Sequence, residues 1–371
     1  MRLIPTVGDY LPLIVGAFVV AALLSLVLTP LVRRVAIRLD NIDHPEERRV
    51  NKAPIPRGGG VAVAAAFLLT SVGGLLLNSQ TGQVPFPRNL DISELAALLL
   101  GGLLATVLGV LDDTFQLRAR WQLLGQLVLA VLAVGFGVTV TFVNNPFGPS
   151  VIPLTGPFAI GFTMLWVVGM VNSINFIDGL DGLSSGIALI AAATLGLISL
   201  TADVRQPFIG ILCFGLAGSL LGFLRWNFHP ASIFIGTSGV MFVGYTLAIL
   251  SILGTAKVAV ALLVLGVPII DTFWIIVRRL ATGHSPFTPD RGHIHHRLLD
   301  LGLSHSQTVL VIYGLCLLLA VLTFVLSGTE QLGAFVGLAV VFGIVLFLVT
   351  RSEAADALEA DTYDEVPDHR P

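Results

Sequence analysis

The chain has 371 residues, of which 55% are hydrophobic and only 12% charged, with a mean hydropathy of +0.91 and a net charge of −3. Soluble domains carry about 25% charged residues, so this composition excludes an ordinary soluble protein, and no nucleic-acid partner is expected. Cys213 and Cys316 both lie in apolar runs, which excludes a disulfide framework.

A helix that crosses a bilayer needs roughly 20 mostly apolar residues. In chain order, such runs fall at about 11–32, 60–77, 95–111, 121–143, 157–173, 183–200, 207–224, 239–253, 258–277, 309–327 and 333–349. The first run is followed by Arg33, Arg34 and Arg38, where a signal-peptide cleavage site would need small residues. It therefore reads as a retained helix. The predicted fold is all-α: one polytopic membrane domain over residues 1–350, with about eleven transmembrane helices in the lipid bilayer. Residues 351–371 are acidic and aperiodic, and are expected to form a disordered tail.

Basic residues orient the spans. Segments 33–59, 112–120, 174–182, 225–238, 278–308 and 350–371 hold 16 of the 20 Lys and Arg residues, leaving Arg2, Arg88, Arg205 and Lys257 opposite. The positive-inside rule makes the basic side cytoplasmic. The N-terminus is then outside and the C-terminus inside.

All eight histidines fall on that same side, and four clusters there carry chemistry. Asp112 and Asp113 end the third run. Adjacent carboxylates at a membrane boundary are costly unless water, a cation or a metal faces them. Such a pair suits Mg²⁺, which prefers oxygen ligands shared with phosphates. A solvated loop pair is the plainer alternative. Next, Asn172, Asn175, Asp178 and Asp181 recur every third residue, which on a helix brings them near one face. Gly179 and Gly182 follow the two aspartates and allow a turn or a close ligand approach.

The third cluster, Arg291-Gly292-His293-Ile294-His295-His296-Arg297, offers many donors to an anionic diphosphate. A zinc site is the alternative. Residues 294–303 also suit an amphipathic helix lying in the headgroups. In the fourth, Arg57 precedes Gly58-Gly59-Gly60 at a predicted helix start. That run either presents backbone N–H groups to an anion or is a flexible turn beside lipid headgroups.

At these residues the chain resembles the polyprenyl-phosphate N-acetylhexosamine-1-phosphate transferases, of glycosyltransferase family 4. The motifs that carry the resemblance are Pro56-Arg57-Gly58-Gly59, Asp112-Asp113, the stretch from Asn175 to Gly182, Phe234-Ile235-Gly236, and Arg291-Gly292-His293-Ile294-His295-His296. The resemblance implies transfer of a sugar 1-phosphate from a UDP-sugar to undecaprenyl phosphate with release of UMP. UDP-N-acetylglucosamine is the expected donor and Mg²⁺ the expected cofactor, with Mn²⁺ as an alternative ion. The reaction would be the first step of a cell-envelope polysaccharide, in a bacterial plasma membrane. Homodimerisation is left open.

The resemblance also implies roles. Asp112, Asp113 and Asp178 would be catalytic. Asn175, Asp178 and Thr237 would lie at the metal. Asn172, Asp181, Arg291, His293, His295 and His296 would contact the nucleotide sugar, and Arg57 and Arg120 the lipid phosphate. Two positions depart from the family pattern. Thr237 stands where an Asp is usual, and Gln122 where a Lys is usual. One substitution removes an anion from the metal site and the other a cation from the phosphate site. Two outcomes follow: an enzyme with altered metal dependence, or a weakened relative that still binds polyprenyl phosphate or a UDP-sugar.

Overall fold

A computed structural model describes residues 7–44, 54–87, 90–145, 150–201, 204–254, 257–281, 283, 292–326, 329–341, 343 and 344. The acidic tail and Arg291 lie outside the described residues.

Helices dominate. In chain order they are α1 (Val7–Arg38), α2 (Gly60–Thr81), α3 (Ile92–Phe115), α4 (Ala119–Gly135), α5 (Gly156–Ile177), α6 (Leu183–Ser199), α7 (Pro207–Asn227), α8 (Gly236–Leu253), α9 (Lys257–Val264), α10 (Gly266–Ala281), α11 (Ile294–Asp300) and α12 (His305–Val325), followed by α13 (Thr329–Val341). Two short antiparallel ribbons interrupt them: β1 (Ile42–Asp43) with β2 (Ile55–Pro56), and β3 (Phe142–Asn144) with β4 (Val151–Pro153). Among the described residues, seven helices are long and apolar enough to cross a membrane, or eight if the bent α9–α10 pair is one broken span. The shorter apolar helices α4, α6 and α13 stand where three further spans are expected.

Two expected spans differ from the structure, each for a readable reason. The run 258–277 is not one straight helix, because α9 and α10 meet at 78°. Pro268 has no N–H to donate to the carbonyl of Val264, and its ring crowds that carbonyl. Val264 is where α9 ends. The run 121–143 stops being helical at Gly135. Gly137 takes a positive φ of 97°, and the β-branched alternation Val138-Thr139-Val140-Thr141 leads into β3.

The hydrophobic core is arranged around α8. Its most apolar window is 83% buried, against 17% for α1, whose Leu11, Val15, Leu23 and Val27 face outward. Neighbours approach α8 closely because small residues line the contacts, as membrane helices do in the absence of a hydrophobic drive between them. A Cβ on Gly109 of α3 would sit 2.3 Å from Ser238 Cα, and one on Gly60 would sit 2.0 Å from Gly239 Cα. The starts of α2 and α8 and the end of α3 are therefore locked together, at the end of the bundle that holds the polar clusters.

Candidate active site

The residues that set the geometry are the carboxylates at the end of α3. Asp113 is buried, and both its oxygens accept backbone N–H groups from the first turn of α8: Thr237 at 2.7 Å and Ser238 at 3.0 Å. An anion at a helix N-terminus satisfies donors that have no partner within the helix, so Asp113 caps α8 from a neighbouring helix. Gly236 makes room for it, since a Cβ there would lie 2.6 Å from the Asp113 carboxylate. Asp112 accepts the Thr237 Oγ1 hydroxyl on Oδ2 at 2.6 Å. Its Oδ1 accepts Gln122 Nε2 at 2.9 Å and the Leu117 amide at 3.0 Å. The two positions that depart from the family pattern thus grip the two oxygens of one carboxylate.

The glycine run does not form an anion cradle. Gly59 and Gly60 donate their N–H groups to the carbonyls of Phe234 and Ile235 at 2.9 and 2.8 Å. Arg57 pairs with Asp43 of β1, and its charge acts on Asp113, Asp112 and Asp178. Arg120 is exposed at the start of α4, with its guanidinium 5.6 Å from the centre of the Trp121 ring. That pair suits a membrane interface, where an aromatic ring meets headgroups.

The three-residue spacing holds on a helix only as far as α5 extends. Asn172, inside α5, is part of an amide pair with Gln126 of α4, donating to Gln126 Oε1 at 2.7 Å. It joins two helices, and this pairing engages its amide within the bundle. Asn175 is partly exposed in the last turn, and its carbonyl accepts the Asp178 amide. Asp178 ends the helix. Its Oδ1 accepts the Ser184 hydroxyl at 2.6 Å. Burial pushes this carboxyl up to about 7; the Asp113 and Asp181 charges add to the rise, while Ser184 and Arg57 oppose it. A carboxyl held near neutrality by its surroundings is a mark of functional sites.

Asp181 sits beyond the turn in a separate network. Its Oδ2 accepts the Ala231 amide at 3.0 Å and meets His229 Nδ1 at 2.8 Å. Its own amide donates to His305 Nε2 at 2.8 Å. The ligand atoms of Asp181, His229 and His305 lie within 4.8 Å of one another. The two rings are stacked, 4.2 Å apart at 18°. One nitrogen is already occupied by a backbone N–H. The trio reads as a polar junction between two loops and the start of α12.

The histidine cluster is divided in the same way. Helix α11 begins at Ile294, and its Ile294, Leu298 and Leu299 pack against the protein core, while Leu301 beyond its end is exposed. His293 Nδ1 meets Asp271 Oδ2 of α10 at 2.7 Å, and the Ile294 amide donates to Asp271 Oδ1 at 2.9 Å. His295 does not serve as an exposed cation. It is buried, with Nε2 against Gly179, where a Cβ would come within 2.1 Å of it. Burial, followed by the charges of the neighbouring histidines, pushes its pKa well below the usual range. It is a neutral packing group beneath His293, whose ring stacks on it at 5.5 Å. Gln122, Ser184, His229, Asp271 and His305 are thus hydrogen-bond partners of motif residues that the motifs themselves do not include. The histidines among them carried one signal, their segregation to one side of the membrane.

Together, the helices and the single polar end define a polytopic membrane protein with a carboxylate-rich site at one mouth of its bundle. Residues 95–255 match the model of the family described as glycosyl transferase family 4. A Bacillus subtilis protein described as a probable undecaprenyl-phosphate N-acetylglucosaminyl 1-phosphate transferase is 36% identical over 352 residues, covering 92% of this chain and 91% of its own. A Mycobacterium leprae decaprenyl-phosphate N-acetylglucosaminephosphotransferase is 34% identical, covering 79% of this chain and 78% of its own. A Thermotoga maritima undecaprenyl-phosphate alpha-N-acetylglucosaminyl 1-phosphate transferase is 31% identical, covering 88% of this chain and 94% of its own. The chain belongs to glycosyl transferase family 4, among its polyprenyl-phosphate N-acetylhexosamine-1-phosphate transferases.

Proposed function

We propose that this protein transfers N-acetylglucosamine 1-phosphate from UDP-N-acetylglucosamine to undecaprenyl phosphate, releasing UMP, at the cytoplasmic face of a bacterial plasma membrane. The product would begin a cell-envelope polysaccharide. The observation that carries this reading is the meeting of Asp112, Asp113, Asp178 and Arg57 at one end of the bundle, in a chain whose relatives bear these names.

The chemistry asks little of a base. A phosphate monoester is already ionised near neutral pH, so the lipid phosphate oxygen can attack the β-phosphorus without first losing a proton to Asp112. Asp112 is instead a positioning group that holds Thr237 and Gln122. Arg57 attracts the lipid phosphate. Arg291, His293 and His296 bind the diphosphate, and Asp181 keeps the adjoining loops together at the nucleotide.

The donor set fits a shared Mg²⁺, not a closed protein cage. Both oxygens of Asp112 and of Asp113 are taken by hydrogen bonds. Asp178, with one oxygen bonded to Ser184, and Asn175 are the less engaged oxygen ligands, with Thr237 as a neutral neighbour. One or two protein oxygens plus substrate phosphates is the usual Mg²⁺ arrangement, and Mn²⁺ would take the same ligands. When bound, the cation neutralises charge developing on the departing UMP.

The decisive assay supplies purified protein with UDP-N-acetylglucosamine, undecaprenyl phosphate and Mg²⁺, and looks for lipid-linked sugar phosphate and UMP. Binding of UDP-N-acetylglucosamine without turnover would instead identify a weakened relative. Topology is checked separately. Cysteines placed at Arg49, His284 and the C-terminus are expected to resist impermeant reagents in intact cells, whereas those at Gln83 and Glu330 react. Labelling at position 284 from outside would reverse the proposed orientation. For the diphosphate contacts, Arg291→Ala and His293→Ala are each expected to weaken UDP-sugar use by about ten- to a hundredfold, since a charge-assisted contact is worth roughly 1.5–3 kcal/mol. Steady-state kinetics in UDP-sugar measure this directly.

A further inference from the structure

Asp271 is a carboxylate in a membrane helix with no exposed surface, and the motifs of the family give it no task. A carboxylate withdrawn from water is expensive unless its oxygens are well partnered. Its partners here are specific. Oδ1 accepts the amide of Ile294, the first residue of α11, and Oδ2 lies 2.7 Å from His293 Nδ1. A carboxylate that is ionised only accepts hydrogen bonds, and facing one would place the imidazole proton on Nδ1 and leave Nε2 for another partner. His293 is packed as well, with His295 stacked on it at 5.5 Å and 11° and the tilted Phe176 ring 6.1 Å away. Phe176 lies on α5 between Asn175 and Asp178, so the imidazole is fixed from α10 and abuts the carboxylate-bearing end of α5.

We propose that Asp271 is a positioning residue for the transfer: it holds the direction of His293 and balances its positive charge, so that a protonated Nε2 meets an acidic diphosphate. The inference rests on the transferase reading above. With Nε2 protonated, the imidazolium donates to a phosphate oxygen while Asp271 balances its charge from the opposite edge. With Nε2 bare, it would present a lone pair to an anion. A freely turning or inverted imidazole would offer the diphosphate the wrong edge.

The first test needs neither a variant of Asp271 nor turnover. In ¹⁵N-histidine NMR of the whole protein in nanodiscs, with the His293 signals assigned by their loss in His293→Gln, neutral His293 should carry its proton on Nδ1. An Nε2–H tautomer overturns the proposal. The second test is a cycle of Asp271→Asn and His293→Ala, read by UDP binding and by UDP-sugar kinetics. Asp271→Asn removes the negative charge that balances the imidazolium, so it should weaken UDP binding about tenfold or more. The same substitution should change UDP binding by less than twofold in the His293→Ala protein. If Asp271→Asn is equally damaging with or without His293, Asp271 only supports α11 and the proposal fails. If the wild type binds UDP and shows the Nδ1–H tautomer but makes no lipid product, the transferase reading fails while the positioning of His293 stands.

Discussion

Asp113→Asn is expected to lose transfer activity by more than a hundredfold and to lower the thermal stability of the protein, whereas Asp178→Asn should lose as much activity with little change in stability. Motifs alone treat these carboxylates as equivalent, but their partners separate them. Asp113 spends both oxygens on the α8 amides of Thr237 and Ser238. An asparagine keeps one acceptor and turns an N–H group towards the other amide, leaving a buried donor unpaired at a cost of about 1–3 kcal/mol. The start of α8 also holds the glycine contact with α2 and the grip on Asp112, so its displacement disturbs the whole mouth of the bundle. Asp178 lies at the end of α5, with Ser184 as its hydrogen-bond partner, and an asparagine can still accept that bond. What it removes is a negative charge facing the proposed cation, a loss worth one to three orders of magnitude in rate. Thermal unfolding in detergent, followed alongside rate, distinguishes the two. Equal stability loss in both variants would show that Asp178 is as architectural as Asp113.

Hydropathy made the membrane fold legible because a bilayer-spanning helix declares itself in one continuous run. Where the runs misled, the cause was local. Pro268 broke 258–277 into two helices, and Gly137 with the β-branched residues after it turned the end of 121–143 into a ribbon. Both signals are present in the sequence but are outweighed by apolarity in a hydropathy window. The site was legible as a set of motifs and not as an arrangement. Nothing in the spacing of Asn172 reveals Gln126 of α4 as its partner, 46 residues away, and nothing near Asp271 points to His293, 22 residues on. Such pairs depend on which helices become neighbours. Even the histidine motif, the most conspicuous in the chain, divides between an oriented ring at His293 and a neutral packing group at His295.

The same dependence on partners decides what Thr237 does. Thr237→Asp alone is expected to make the protein dependent on Mg²⁺ for stability, and Thr237→Asp combined with Gln122→Lys is expected to outperform either single variant in transfer. Thr237 Oγ1 donates to Asp112 Oδ2 at 2.6 Å, and Gln122 Nε2 donates to Asp112 Oδ1 at 2.9 Å. A carboxylate at 237 would lose that donated bond and set two like charges close together. At about 4 Å and the effective dielectric of a protein surface, such a pair repels by roughly 4 kcal/mol. Mg²⁺ between the two carboxylates relieves the repulsion, and so does an ammonium at position 122 on the other oxygen of Asp112. The natural pair avoids both needs with neutral donors, so the cation is held by fewer charges. The wild type is therefore expected to need more Mg²⁺ than the Thr237→Asp, Gln122→Lys protein. The measurement is a Mg²⁺ titration of rate and of melting temperature in wild type, both single variants and the double. Groups that share a partner couple by about 0.5–3 kcal/mol, while independent sites add. Strict additivity across the cycle, or half-maximal activity of the wild type at submillimolar Mg²⁺ that Thr237→Asp leaves unchanged, would show that metal binding does not run through position 237.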